Sequence, residues 1–363
     1  MVAAVSQPTF PLSSFYIYVT DRCNCACKHC WIVPDASAIR EEREHFLSPE
    51  LFEAAVLEAK PLGLTSVKWT GGEPTIHPDF ARLLALQKKH ELVGRLETNG
   101  IEVTSELAQL MARTGMRHVA VSLDGVEPET HDAIRGVRGA HRRALRGLAH
   151  LVEAGFAPQL IMTLMRENVG ELEGMLELAP ELGAGSVKLN IVQPTLRGAD
   201  MHSAGETLAV AELIELNRRV EQELRPRSRV PVLLDVPVAF RPLRRLLDGD
   251  GCSVCSIKTI LGVLADGSYA LCGIGANVPE LVFGRAGEGQ LDAIWMRHPV
   301  LLNVREGLPD ALKGICERCL MKAACLGSCV AQNYYREHDL FTGFWFCETA
   351  EQEGLFPATR LRD

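Results

Sequence analysis

The stretch FYIYVTDRCNCACKHCW, residues 15–31, decides the reading of this chain. Its first part, FYIYVT (15–20), is an aromatic and β-branched run of strand character. Directly after it come four cysteines, Cys23, Cys25, Cys27 and Cys30. Cys23, Cys27 and Cys30 are spaced C-x3-C-x2-C. Three thiolates in one short loop can hold three irons of a [4Fe–4S] cube and leave the fourth iron open to a ligand. A zinc site would prefer four ligands paired as C-x2-C. Cys25 falls outside the spacing and reads as a bystander.

Outward from this stretch, short β-like runs alternate with amphipathic helical segments, the pattern of parallel β/α units. SVKWT (66–70), GRLET (94–98), HVAVSL (118–123), PQLIMTL (158–164) and SVKLNIV (186–192) bring the strands to six. Helices are expected at 48–63, capped by Ser48 with Pro49 at the first position, and near 78–90, 104–114, 139–154, 169–182 and 207–224. The basic stretch RPRSRVP (225–231) reads as a connector, and REEREH (40–45) as a solvated loop. Beyond the connector the pattern breaks into short β pieces and cysteine-rich loops. The expected fold class is therefore α/β: a tail at 1–14, a partial (β/α)6 barrel over 15–235, and a small cysteine-rich α+β domain over 236–363. In parallel β/α barrels the chemistry sits at the C-terminal strand ends.

The composition narrows the class. With 363 residues, 47% of them hydrophobic, the chain can build ordinary cores. No apolar run approaches the roughly 20 residues of a membrane span, and the N-terminus lacks the charged and apolar regions of a signal peptide, so a cytoplasmic protein without a membrane partner is expected. A net charge of −8 argues against a nucleic-acid partner. Twelve cysteines, none between Cys30 and Cys252, imply two separate thiolate sites rather than a disulfide scaffold. The second field runs Cys252-x2-Cys255, Gly267-x4-Cys272, Cys316-x2-Cys319-x5-Cys325-x3-Cys329, then Cys347. Eight thiolates suffice for two fully ligated cubes.

On its C-x3-C-x2-C loop at the end of the first strand, the chain resembles the radical S-adenosylmethionine (SAM) superfamily. On the run from Cys255 onward, it resembles that superfamily's SPASM domain. The resemblance implies a cluster on Cys23, Cys27 and Cys30, with SAM on its open iron and His29 beside the adenine. Gly71, Gly72, Glu73 and Pro74 would meet the methionine amino group, with glycines that let the backbone approach a ligand. Ser122, Asp124 and Arg135, or Arg138, are expected at the SAM carboxylate, where an arginine can pair bidentately. An ordinary surface salt bridge is the competing expectation for Arg135. Glu97, Thr98 and Asn99 end the third strand, and Lys188 and Asn190 point from the sixth, as candidate pocket residues. The family's interleaved pattern would place a nearer auxiliary cluster on Cys252, Cys255, Cys272 and Cys329, and a farther one on Cys316, Cys319, Cys325 and Cys347. Two zinc ribbons are the alternative reading of those cysteines.

Three [4Fe–4S] clusters and SAM then imply reductive SAM cleavage and oxidative modification of a substrate. In such a system the cofactor carries the hard chemistry. SPASM enzymes mostly act on ribosomally made peptides, so the expected partners are a precursor peptide, a flavodoxin- or ferredoxin-type electron donor, and a separate peptide-recognition protein. A separate protein is expected because the first strand begins too early for an appended recognition domain. Gly273 stands where sulfatase-maturing members carry a basic aspartate, which disfavours that reaction. The alternatives are a tetrapyrrole (heme d1-like) or quinone cofactor maturase, and a non-enzymatic iron–sulfur carrier or zinc-binding interaction protein.

Overall fold

A computed structural model describes residues 10–32, 45–247 and 255–362. Cys252 and most of the charge run at 40–45 lie outside the described residues. All six expected strands form: β1 (Ser14–Tyr18), β2 (Ser66–Thr70), β3 (Val93–Thr98), β4 (Met116–Ser122), β5 (Gln159–Leu164) and β6 (Ser186–Ile191), and β7 (Val232–Leu234) follows them. They are parallel and pair in chain order. Helices α1 (Pro49–Ala59), α2 (Phe80–Lys89), α3 (Ser105–Arg113), α4 (Pro128–Arg135), α5 (Ala140–Glu153), α6 (Leu172–Glu181), α7 (Arg197–Ser203) and α8 (Val210–Arg219) join and follow them. Ser48 caps α1 as read, its side chain accepting from the Leu51 N–H at 3.1 Å, with Pro49 opening the helix. The expected helix at 207–224 is shorter, because its end widens into a π turn over Val220–Leu224. The sequence reading passed over α4 and α7, both of eight residues or fewer.

The sheet does not stop where the cysteine-rich region starts. β8 (Ile260–Val263) returns to pair in parallel with the open side of β1, with Ile17 opposite Val263 on one side and Trp69 on the other. β9 (Ser268–Ala270) and β10 (Val282–Arg285) add antiparallel to it. The result is one ten-stranded sheet ordered β10-β9-β8-β1-β2-β3-β4-β5-β6-β7. β1, which launches the first cysteine loop, is therefore an interior strand. Among the described residues no helix is long and apolar enough to cross a membrane.

The core shows why the loop is held still. Trp69 of β2 is fully buried, packed on Phe52 of α1 at 4.9 Å and Phe80 of α2 at 5.7 Å between ring centroids. Its indole N–H needs a partner inside, and Gln87 of α2, itself fully buried, supplies Oε1 at 2.6 Å. The Gln87 Nε2 donates onward to the Thr114 carbonyl at 2.7 Å. Gly94 is bare because a Cβ there would lie 2.4 Å from that Oε1. One carboxamide thus ties β2, α2 and the end of α3 together. Gln87→Met, close in volume, should strand the indole N–H and the Thr114 carbonyl and lower unfolding free energy by about 1–3 kcal/mol for each stranded group. Urea denaturation of the anaerobically purified protein checks this, and an unchanged midpoint would refute it.

Candidate active site

The C-terminal ends of the barrel strands open on one cavity of about 380 Å³, inside the roughly 300–1,000 Å³ range of small-ligand sites. Cys23, Cys27 and Cys30 line it together with His29, Gly71, Gly72 and Glu73. Ser122 and Arg135 line it too, as do Glu97, Thr98, Asn99, Lys188 and Asn190. Asp124 and Pro74 do not. The strand-end residues that the sequence offered as pocket candidates therefore converge.

Four elements clasp the cysteine loop. At the exit of β2, the Gly72 N–H donates to the Thr20 carbonyl at 2.7 Å and the Glu73 N–H to the Arg22 carbonyl at 2.9 Å. A Cβ on Gly72 would lie 1.8 Å from the Arg22 oxygen, and Gly71 adopts φ +121° with 2.7 Å to the Thr20 oxygen. The close approach of the cysteine loop by itself thus requires glycine at both positions. At the exit of β3, the Asn99 Nδ2 donates to Asn24 Oδ1 at 2.6 Å and approaches the Cys25 sulfur at 3.5 Å. From α4, the Arg135 and Ile134 carbonyls accept from the Ala26 and Lys28 N–H groups, and Gly136, at φ +67°, leaves room for Ala26. From α7, Arg197 donates to the Cys27 carbonyl at 3.0 Å.

Glu73 is a brace. It is 1% exposed, and its carboxylate accepts from the Thr75 N–H and hydroxyl, the Thr98 hydroxyl and the Asn99 N–H at 2.6–3.0 Å. Burial still outweighs these bonds and raises its pKa. Arg135 corrects the surface-salt-bridge expectation: it is 7% exposed and pairs with fully buried Asp124 at 2.7 Å, while its Nη1 reaches the Cys27 sulfur at 3.5 Å. Asp124 is itself fixed, since its Oδ1 accepts from the Thr163 N–H at 2.8 Å and Asn168 holds its carbonyl. Asp124 therefore acts behind the cavity wall, aiming Arg135 at the loop. A hydrogen bond from the Cys25 thiol lowers the Cys27 pKa, and the nearby Arg135 adds to the effect against burial. Burial keeps His29 neutral by lowering its pKa.

The second cysteine field falls into two groups. Cys316, Cys319, Cys325 and Cys347 line one small apolar pocket with Phe344 and Phe356. Cys255, Cys272 and Cys329 sit toward β1: the first two bear electrostatically on Tyr16, and Cys329 on Cys255. Burial pushes the Cys319, Cys325, Cys329 and Cys347 thiols up, and Cys255 and Cys316 to about 12, so a bound cation is what would make them thiolates. Gly273 has a reason of its own, since a Cβ there would enter the Tyr18 ring at 2.1 Å. Among the described residues no three His, Cys, Asp or Glu side chains converge as a single-ion site requires. A cube, by contrast, takes one thiolate per iron. The barrel cavity fits a cluster with a polar ligand: three thiols share one short loop, and the enclosed His29 Nδ1 and Arg135 Nε have no hydrogen-bond partner among the described residues. Buried polar atoms are ordinarily satisfied.

Asp124→Asn should leave the Arg135 charge buried without its partner and destabilise the protein by about 3–5 kcal/mol. Denaturant unfolding measures this, and a loss under about 1 kcal/mol would contradict the brace.

Comparison with known proteins agrees with this geometry. The model of the radical SAM superfamily matches residues 17–179. Mycofactocin maturase MftC of Mycolicibacterium smegmatis is 30% identical over 324 residues, covering 87% of this chain and 78% of its own length. An AdoMet-dependent heme synthase of Methanosarcina barkeri is 28% identical over 348 residues, covering 91% of this chain and 94% of its own. Among solved structures, Streptococcus suis SuiB bound to precursor peptide SuiA superposes with a TM-score of 0.70 at 18% identity, covering 94% of this chain and 76% of that one. The clasped cysteine loop on a parallel β/α sheet, the cysteine-rich C-terminal region and this similarity together establish that the chain belongs to the radical SAM superfamily of enzymes, which employ SAM and a [4Fe–4S] cluster.

Proposed function

We propose that this enzyme oxidatively modifies, for example by cross-linking, a ribosomally made peptide, using three [4Fe–4S] clusters. The observation that carries the reading is the arrangement of thiols. One cysteine group lies on the barrel loop, a second beside Tyr16 and Tyr18 of the same strand, and a third in the apolar pocket beyond. The relatives' names, a maturase and a protein bound to its precursor peptide, support a peptide substrate. When bound, the barrel cluster and SAM supply a 5′-deoxyadenosyl radical for hydrogen abstraction.

In this reading Cys23, Cys27 and Cys30 hold the barrel cluster, and Arg135, aimed by Asp124, compensates the charge of Cys27. His29 and Ser122 contact SAM, and the Gly71–Glu73 backbone orients its amino group. Cys252, Cys255, Cys272 and Cys329 hold the nearer auxiliary cluster, and Cys316, Cys319, Cys325 and Cys347 the farther one. The division between barrel and SPASM domain falls near residue 235. A flavodoxin- or ferredoxin-type donor provides the electron, and a separate protein recognises the precursor. The heme synthase relative favours a second reading, tetrapyrrole maturation.

Anaerobic incubation with peptides encoded beside the gene, and separately with iron coproporphyrin, followed by mass spectrometry, decides between the two. Modified peptide is the expected outcome, and a porphyrin product alone would overturn the reading. Reconstituted protein should carry about twelve irons. Replacing Cys23, Cys27 and Cys30 together by Ala should abolish 5′-deoxyadenosine formation and leave about eight, whereas Cys25→Ala should change neither. Cys319→Ala or Cys325→Ala, checked to be folded, should still form 5′-deoxyadenosine but lose modified product. Iron near four per chain with stoichiometric zinc would remove the auxiliary clusters from the scheme.

A further inference from the structure

Gln332 belongs to no part of the site described so far. It lies on the helix Val330–Glu337, three residues after Cys329, yet it reaches the barrel cavity from the cysteine-rich side. It is 9% exposed, its Oε1 is enclosed and unpartnered, and its carboxamide forms no hydrogen bond with any described residue. On β6, facing the same cavity, the Asn190 Oδ1 is likewise enclosed and unpartnered. The charges beside them are already matched: Lys188 pairs with Asp235 at 3.3 Å.

Two enclosed carboxamide oxygens left unsatisfied on the walls of one cavity imply a ligand that satisfies them. A primary carboxamide presents one acceptor and a donor in a single plane, the complement of a peptide bond's N–H and C=O. A charged ligand group would call for an unpaired charge, and the local charges are already taken. We propose that Gln332 pairs with a backbone amide of the peptide substrate, with Asn190 as a second acceptor. Residues flanking the reacting position are thereby held against the cysteine-rich wall. The placement has a further consequence: the Gln332 backbone N–H points to the Cys329 sulfur. One residue therefore touches both the bound peptide and a thiol assigned to the nearer auxiliary cluster. Gln332 is a positioning residue. This inference rests on the peptide reading above and specifies how that substrate is gripped.

The test uses the reconstituted holoenzyme, SAM and a synthetic copy of the precursor peptide encoded beside the gene, together with a series carrying single N-methylated backbone amides. With wild type, methylation at one position should raise KM about five- to tenfold, the worth of one hydrogen bond. Gln332→Leu should raise KM for the unmethylated peptide by a similar factor with a smaller change in kcat, and the same methylation should then cost nothing more. Such non-additivity marks a direct pair, and a merely structural role would not produce it. Gln332→Met serves as the second variant if Leu lowers the iron content. Additive losses at every methylated position would overturn the subsite while leaving the peptide reading standing. A wild-type enzyme that cleaves SAM but modifies no peptide would overturn that reading and the subsite with it.

Discussion

The architecture turns on one backbone contact, the approach of Arg22 to Gly72. With 1.8 Å between the Arg22 oxygen and the place where a Cβ would stand, the two segments meet main chain to main chain. Only glycine allows that. The contact joins the tip of β1 to the tip of β2, and the rest of the clasp follows from it. Glu73, next in sequence, is carried to where it collects donors from its own turn and from the end of β3. Asn99, held in that same corner, reaches back to Asn24. The cysteine loop is thus a rigid part of the sheet's rim, which is what a thiolate set needs if its geometry is to exist before the ligand arrives.

The electrostatics around that rim follow a consistent logic. Charges inside the wall are matched within the protein. Asp124 pairs with Arg135, and Lys68 with Glu97 at 2.6 Å. Burial alone would raise the Glu97 pKa, but Lys68 and Lys188 bring it below the usual carboxylate range. Lys68 also lies over the Tyr16 ring at 4.9 Å, which sets a cation between the cavity and the Cys255 group. A cavity whose charges are already compensated does not draw in random ions, so its binding preference falls to the few polar atoms left over. The identity of those atoms is therefore more informative than the number of charged residues in the lining.

The sequence was most legible where a residue type answers to a single physical demand. Strand runs of aromatic and β-branched residues showed as strands to within a residue or two, and Ser48-Pro49 announced α1. α4 was missed although it carries both punctuation marks, Pro128 at its start and Gly136 at φ +67° after its end. Other features leave no trace in one dimension. Nothing in the spacing tells that Asp124 stands behind the wall rather than in it, or that the cysteine loop itself demands glycine at 71 and 72. Gln332 is a single glutamine in a polar helix, and its meaning comes only from what surrounds it. Sequence separation hides such residues: Asp124 is held by Thr163, 39 positions on, and Gly72 meets Arg22 across a whole β/α unit.

The return of β8 to β1 has a bearing on how the molecule can be handled and how it could have evolved. The outermost strands of the sheet are poor templates for association: β7 has three residues, and β10 has four with an irregularity between Val282 and Gly284. β1 is the opposite, a five-residue strand of mostly buried aromatic and aliphatic side chains. A chain cut after the barrel would bare its entire hydrogen-bonding edge, and exposed apolar edges recruit other strands. The cysteine-rich region is therefore also a guard against aggregation. Unfolding of this region would be felt first as insolubility, because β8, the strand that shields β1, would be lost with it.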